Sequence, residues 1–291
     1  MVWVGTARAR AKINLTLHII GRREDGYHNL ESLVAFANVC DDLRLVEGSR
    51  LSLTVSGPEA SSLTDEKNNH ILKAAMALAE HVPHLRTGAF HLTKRLPIAS
   101  GMGGGSADAA AALRLLARLN DLTLQHPAIL DAARNTGADV PVCLEGTSRI
   151  MRGIGDHLDE PVHLPRLFAV LVNPRRGSST PAVFSKIGLT RGDVGSSSKH
   201  PCIVGGLTAP ALLSRLAEGR NDMEAAAISL EPEIGAVRDA LSALTTCRLV
   251  RMSGSGATVF GLFDDCRAAA RASKMLKVLN PSWWVRSTTL A

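Results

Sequence analysis

Aromatic side chains are scarce. They make up 3% of the 291 residues, and Tyr27 is the single tyrosine. A protein that tracks single-stranded nucleic acid needs stacking rings along a basic groove, and this chain offers no such row. Its formal charge of +6 is dispersed along the sequence; a positive surface of that kind also suits a phosphorylated small molecule, and no nucleic-acid partner is expected. The five cysteines (Cys40, Cys143, Cys202, Cys247, Cys266) form no Cys-x-x-Cys pair and no zinc-spaced cluster, so reduced, mostly packed thiols are expected. No run approaches the roughly 18 apolar residues of a membrane span. Residues Met1 to Thr6 lack a basic region followed by an apolar stretch, which argues against a secretory signal. A cytoplasmic protein without a membrane partner is the expectation.

What remains is an ordinary globular composition, 45% hydrophobic and 21% charged, at a length where one hydrophobic core gives way to two. Residues 1–163 and 164–291 are expected as domains, with the boundary at Pro161 or Pro165. Strand character appears in Leu43–Val46 and Leu51–Val55, joined by a Glu47-Gly48-Ser49 turn, and again in Phe90–Thr93. Leu72, Ala75, Met76 and Ala79 recur at i, i+3, i+4 and i+7, predicting a helix with that buried face. A second, alanine-rich helix starts at Ser106, a natural N-cap, with Asp108 adding first-turn negative charge and Leu113, Leu116 and Ala117 inward. Beyond the boundary come a Leu167–Val172 strand, helices near Ala209–Ala217 and Glu231–Leu244, a strand at Ala257–Phe263 and a helix near Arg267–Val278. Residues 188–206, rich in Gly, Ser and charge, read as a mobile surface loop. Mixed strands and helices in both halves give an α+β class.

Chemistry concentrates at Gly101-Met102-Gly103-Gly104-Gly105-Ser106, between a strand-like segment and a helix. Glycines let the chain turn sharply and aim successive N–H groups inward, and the adjoining helix N-terminus favours a phosphate. No Lys-Ser/Thr follows the last glycine, which excludes a Walker A loop, and the spacing is not that of a dinucleotide-binding fingerprint. A second small-residue loop, Ser253-Gly254-Ser255-Gly256, precedes an apolar strand and could close on the same polyphosphate. In Ala11-Lys12-Ile13-Asn14-Leu15, Lys12 and Asn14 fall on one face of a strand and Ile13 and Leu15 on the other.

Together these segments resemble the GHMP kinases, the superfamily of galactokinase and the homoserine, mevalonate and phosphomevalonate kinases. Pro97 to Ser106 resembles the phosphate-loop motif Pro-x-x-x-Gly-Leu-Gly-Ser-Ser, with Met102 in place of Leu and Gly104-Gly105 preceding Ser106, and Arg251 to Gly256 resembles the C-terminal glycine-rich motif. The Arg23-Glu24-Asp25-Gly26-Tyr27-His28, Thr136-Gly137-Ala138-Asp139-Val140-Pro141 and Arg220-Asn221-Asp222 blocks resemble one branch of it. That branch phosphorylates a hydroxyl of a cytidine-diphosphate sugar alcohol in the non-mevalonate route to isoprenoid (terpenoid) precursors. The resemblance implies two domains, each a β-sheet layered with helices, with the active site in the cleft between them.

By position, the resemblance implies Asp139 as the base that takes the acceptor's proton, and Lys12 beside it, neutralising phosphoryl charge. It implies Asn14, Tyr27, His28 and Thr180 on the substrate, with the Tyr27 ring on cytosine and His28 at its polar edge. Asn69, Lys94, Pro97, Gly101, Met102, Gly103, Gly104, Gly105, Ser106 and Gly254 would contact ATP, and Ser106 could approach Mg²⁺. The branch's Asp-Asn-Leu-Ile is here Asn68-Asn69-His70-Ile71. Its Gly-Gly-Gly is here Ala99-Ser100-Gly101, which fits if Gly101 alone of the three needs unusual dihedrals. His18, His70 and His81 read as structural or exposed. A small-molecule kinase acting as a monomer or weak homodimer is expected. The alternatives are another kinase of the superfamily, of homoserine or mevalonate type, or a non-catalytic sensor that keeps the fold.

Overall fold

The computed structural model describes residues 3–63, 69–195 and 199–291; of the contact block at residues 68–71, Asn68 lies outside these. The chain forms two compact units, each assembled from separated segments. The first comprises Met1–Ala11, Val39–Ile98 and Gly103–Gly146, the second Lys12–Asn38, Ala99–Met102 and Thr147–Ala291.

In the first unit the C-terminal part of the long strand His28–Gly48 pairs antiparallel with Thr87–Thr93, from Asp42↔Thr93 to Gly48↔Thr87. Alternation does the sorting: Leu43, Leu45, Phe90 and Leu92 are buried, with polar residues between them. The strand Ser52–Ser56 runs parallel to Thr87–Thr93. The residues after Gly48 therefore do not close a hairpin between the first two expected strands, because Thr87–Thr93 takes the place between them. Helices His70–Ala79, Gly104–Leu119, Pro127–Thr136 and Val140–Glu145 complete the unit.

The helix His70–Ala79 buries Ile71, Ala74, Ala75 and Leu78, so that of the expected Leu72, Ala75, Met76 and Ala79 only Ala75 is buried; Met76 is 49% exposed. Two overlapping sets obey the same helical spacing here. The set that wins puts the bulky Ile71 and Leu78 inside and leaves the flexible Met76 to water.

In the second unit, Leu167–Asn173 lies between the antiparallel strands Val259–Phe263 and Trp284–Leu290, and Cys247–Met252 pairs with Val259–Phe263. Its apolar run is covered on both faces, as a central strand requires, and joins a core with Val183, Ile234, Val237, Leu241 and Leu276 from the helices. Trp284 is buried in the last strand. The expected helix at 231–244 forms as Glu233–Ser242, and a separate short helix, Glu224–Leu230, precedes it and ends ahead of Pro232, which cannot continue it. Another layer of the unit pairs His28–Val34 with His18–Arg22 and Arg149–Gly153.

Residues 189–195 are not a loose loop. The Arg22 N–H donates to Asp193 O (2.9 Å), the Gly192 N–H to Arg22 O (2.9 Å) and the Gly195 N–H to Ile20 O (2.7 Å). A Cβ on Gly195 would lie 2.3 Å from Ile19 O, and one on Gly21 2.6 Å from Asp193 O. The glycines that suggested mobility are what permit this backbone approach; residues 196–198 lie outside the described ones. All five cysteines are free thiols, Cys40 and Cys143 buried, Cys247 half-buried, and Cys202 and Cys266 exposed. No helix among the described residues is long and apolar enough to cross a membrane.

Candidate active site

The glycine loop ends at Gly103, which takes a left-handed φ of 61° and caps the helix Gly104–Leu119. Ser106 is thus the third helical residue and not the cap, because glycine adopts that conformation without the Cβ penalty a serine would carry. The first bond within the helix runs from the Ala107 N–H to Gly103 O at 2.8 Å. The N–H groups of Gly104, Gly105 and Ser106 are left pointing past the helix end, where the dipole favours an anion.

Behind this first turn lies a buried ion triad. Lys94 Nζ sits 2.6 Å from Asp41 Oδ2 and 2.6 Å from Asp108 Oδ2, all three side chains at most 5% exposed. Asp41 also accepts from the Arg95 and Leu96 N–H groups. Burial acts to lower the Lys94 pKa, but Asp108 and Asp41 outweigh it and raise it. Burial, reinforced by Asp41 and opposed by Lys94, pushes Asp108 up to about 7. Asp108 therefore does not act as a first-turn charge; it is a buried member of this triad. A Cβ on Gly104 would stand 3.4 Å from Lys94 Nζ and one on Gly105 3.3 Å from His70 Nδ1. Lys94 and His70 thus back the loop helix directly. Asn69 is engaged locally, its Oδ1 capping the His70–Ala79 helix through the Ile71 N–H at 2.9 Å.

Pro97 is buried in the same unit, and Asp139 is half-buried at the start of Val140–Glu145. The Asp139 carboxylate makes no capping bond to that helix.

In the second unit both glycine loops meet backbone to backbone. Gly101 has φ 71°, and a Cβ there would fall 2.2 Å from Ser253 O; Gly254 has φ 57°, with its would-be Cβ 2.9 Å from Gly101 O. Met102 O accepts from the Lys12 N–H (2.9 Å), and Ser100 O from the Thr258 N–H (3.0 Å). Lys12 and Asn14 are both 4% exposed on the strand Trp3–Asn14. The Asn14 amide donates to Ser32 Oγ at 2.8 Å, while its Oδ1 is buried and has no partner among the described residues. Thr180 Oγ1 is 2.7 Å from Ser255 Oγ, which ties the substrate candidate to the second glycine loop.

Tyr27 is 60% exposed beside Gly26 (φ 93°), so it is not a packing tyrosine. His28 is buried, its Nε2 without a partner among the described residues, and its pKa is lowered by burial and then by Arg22, so the ring is neutral at pH 7. It stacks on Phe184 at 4.2 Å and 15°. Of the other histidines, His18 is fully buried, accepts from the Arg220 N–H at 3.1 Å and has its pKa pushed by burial down to about 4; His81 is exposed. Phe184 was not singled out in the sequence, though its place four residues after Thr180 on one helix is a usable signal. Asn221 was also missed as a site residue; its amide donates to Met252 O (2.8 Å) and Gly254 O (2.9 Å), holding the second loop.

The fold and these loops define the class. Residues 69–147 match the model for the GHMP kinases N terminal domain and 207–280 that for GHMP kinases C terminal. A solved homoserine kinase from Cytophaga hutchinsonii shares the fold at a TM-score of 0.68 and 20% identity, covering 97% of this chain and 93% of that one. The α+β expectation is met in its GHMP-kinase form. More specifically, a 4-diphosphocytidyl-2-C-methyl-D-erythritol kinase of Methylorubrum extorquens is 53% identical over 98% of this chain and 99% of its own length. One of Methylobacterium radiotolerans is 54% identical over 97% and 98%. A crystal structure of a 4-(cytidine 5'-diphospho)-2C-methyl-D-erythritol kinase superposes at a TM-score of 0.76 with 32% identity, covering 99% of each chain. The chain belongs to the 4-diphosphocytidyl-2-C-methyl-D-erythritol kinase family.

Proposed function

We propose that this enzyme transfers the γ-phosphate of ATP to the 2-hydroxyl of 4-diphosphocytidyl-2-C-methyl-D-erythritol, in the non-mevalonate supply of isoprenoid precursors. The observation that carries the reading is the glycine loop running into a helix whose first three N–H groups are unused within it. It stands alongside full-length relatives of that name.

Phosphoryl transfer passes through a loose transition state, so the protein's work is positioning and charge neutralisation. In this reading Gly101 to Ser106 cradle the triphosphate, with Asn69, Lys94, Pro97 and Gly254 completing the ATP contacts. Asp139 accepts the hydroxyl proton and Lys12 helps neutralise charge on the transferring phosphoryl group. The Asn14 Oδ1 receives a substrate hydroxyl, Tyr27 stacks on cytosine, His28 reads the polar edge of the base and Thr180 faces the acceptor. Among the described residues no group of three or more His, Cys, Asp or Glu could hold a metal. That suits Mg²⁺, which is held mainly by phosphates and water; Ser106 would add one hydroxyl, and the ion would supply neutralisation of phosphoryl charge. The enzyme acts in the cytoplasm on small molecules, as a monomer or weak homodimer.

Coupled ADP release with a panel of acceptors tests this. Turnover with the cytidine-diphosphate alcohol and none with homoserine or mevalonate is expected. The reverse would move the chain to another branch of the superfamily, and no ADP with any acceptor would make it a sensor.

A further inference from the structure

We infer that Arg191 is a binding residue for the diphosphate of the acceptor, an inference that rests on the cytidine-diphosphate reading above. Three arginines approach the Asp25-Gly26-Tyr27-His28 turn, and two are engaged. Arg22 donates through Nε to Gly26 O (3.2 Å) and through Nη1 to Leu189 O (2.7 Å). Arg23 pairs with Asp25 at 2.6 Å. Arg191 is exposed and has no carboxylate within ion-pair distance among the described residues.

The position of Arg191 is specific. A Cβ built on Gly26 would lie 3.5 Å from Nη2, 3.6 Å from Nε and 3.8 Å from Cζ. Three guanidinium atoms at nearly one distance place the planar group against the Gly26 backbone, one residue from Tyr27 and two from His28. The segment that carries Arg191 is clamped to the strand His18–Arg22 by the backbone bonds of Gly192, Asp193 and Gly195. Glu24 Oε1, the acid next to this segment, lies against Gly192, 2.7 Å from where its Cβ would be.

A planar fork of donors matches phosphate oxygens two at a time, and such charge-assisted bonds are the strong ones. A nucleotide whose base lies on Tyr27 carries its diphosphate one ribose away, so a cation held against Gly26, the residue before Tyr27, meets that group. ATP, gripped by the glycine loop, does not need it.

Kinetics of Arg191→Gln test the inference. Loss of one charge-assisted fork is expected to raise the KM for the cytidine-diphosphate alcohol about tenfold or more, with kcat and the KM for ATP within about twofold. Arg191→Lys should fall between the two proteins. As competitive inhibitors, CDP should weaken by about the same factor in Arg191→Gln and cytidine should not change. An unchanged acceptor KM, or an equal loss for cytidine and CDP, overturns the role of Arg191 and leaves the kinase reading standing. A wild-type enzyme that neither phosphorylates the acceptor nor binds CDP overturns both.

Discussion

The Ser253 hydroxyl donates to the Gly101 carbonyl across 2.9 Å, and the same oxygen accepts the Asn14 N–H at 3.0 Å. One fully buried side chain thus joins the phosphate loop to the strand that carries Lys12 and Asn14. Ser253→Ala would leave the buried Asn14 N–H and the part-buried Gly101 carbonyl without this partner, at a cost of about 1–3 kcal/mol. The variant is expected to fold with a lowered Tm and to show raised KM values for ATP and acceptor together. Loss confined to one substrate would mean that the serine serves only one of the two segments.

Asp139→Asn is expected to bind ATP nearly as tightly as wild type while its turnover falls at least ~100-fold, the contribution of a general base. Titration calorimetry with ATP and a coupled ADP assay measure the two halves. Wild-type-like turnover would remove the carboxylate from the chemistry.

Tyr27→Ala probes the other end of the acceptor. Its exposed ring carries no core packing, so stability should hold. If the ring stacks on cytosine, the acceptor KM should rise by an amount corresponding to roughly 1–3 kcal/mol, with the ATP KM unmoved. Equal rises for both substrates would count against base recognition.

Two carboxylates share one ammonium at Lys94, and Asp108 keeps a buried Oδ1 without a partner among the described residues. Its folded pKa of about 7 stands above the roughly 3.9 of an unfolded aspartate. A raised pKa means that the folded state holds the proton better. Its contribution to stability is therefore fully present below about pH 4 and is lost as the pH rises through about 7. Urea midpoints of the wild type should decline over this interval, and Asp108→Asn should flatten the decline. Parallel profiles for the two proteins would show that Asp108 does not titrate there.

Local chemistry made part of the site legible. A glycine cluster ahead of an alanine-rich helix can be read because positive φ values and unpaired helix N–H groups demand particular residue types. Lys12 and Asn14 could be placed on one face because strand periodicity needs no partner to be known. The rest depends on tertiary neighbours. Lys94 reads as a cation near the loop, but its partners lie 53 and 14 residues away, and no spacing rule links them. The buried face of His70–Ala79 had two consistent registers, and only the packing chose between them. Residues 189–195 carry the composition of a mobile loop, and their glycines gain another meaning only beside the Gly21 strand.

Ala99 is the clearest departure within the phosphate loop. It takes φ 48°, so Gly101 (φ 71°) is not the only member of Ala99-Ser100-Gly101 in the left-handed region. For an alanine that region costs roughly 1–2 kcal/mol through the approach of Cβ to the following carbonyl. Glycine removes the penalty but adds freedom to the unfolded chain, which returns about 0.4–1 kcal/mol. Ala99→Gly should therefore be neutral or stabilising by up to about 1.6 kcal/mol, where an ordinary loop alanine would lose stability on the same change. A chemical-denaturation midpoint at or above wild type, with the ATP KM preserved, is the expected result. A clear loss of stability would mean that the alanine methyl, 3.6 Å from where a Cβ on Gly177 would lie, packs well enough to outweigh its own backbone strain.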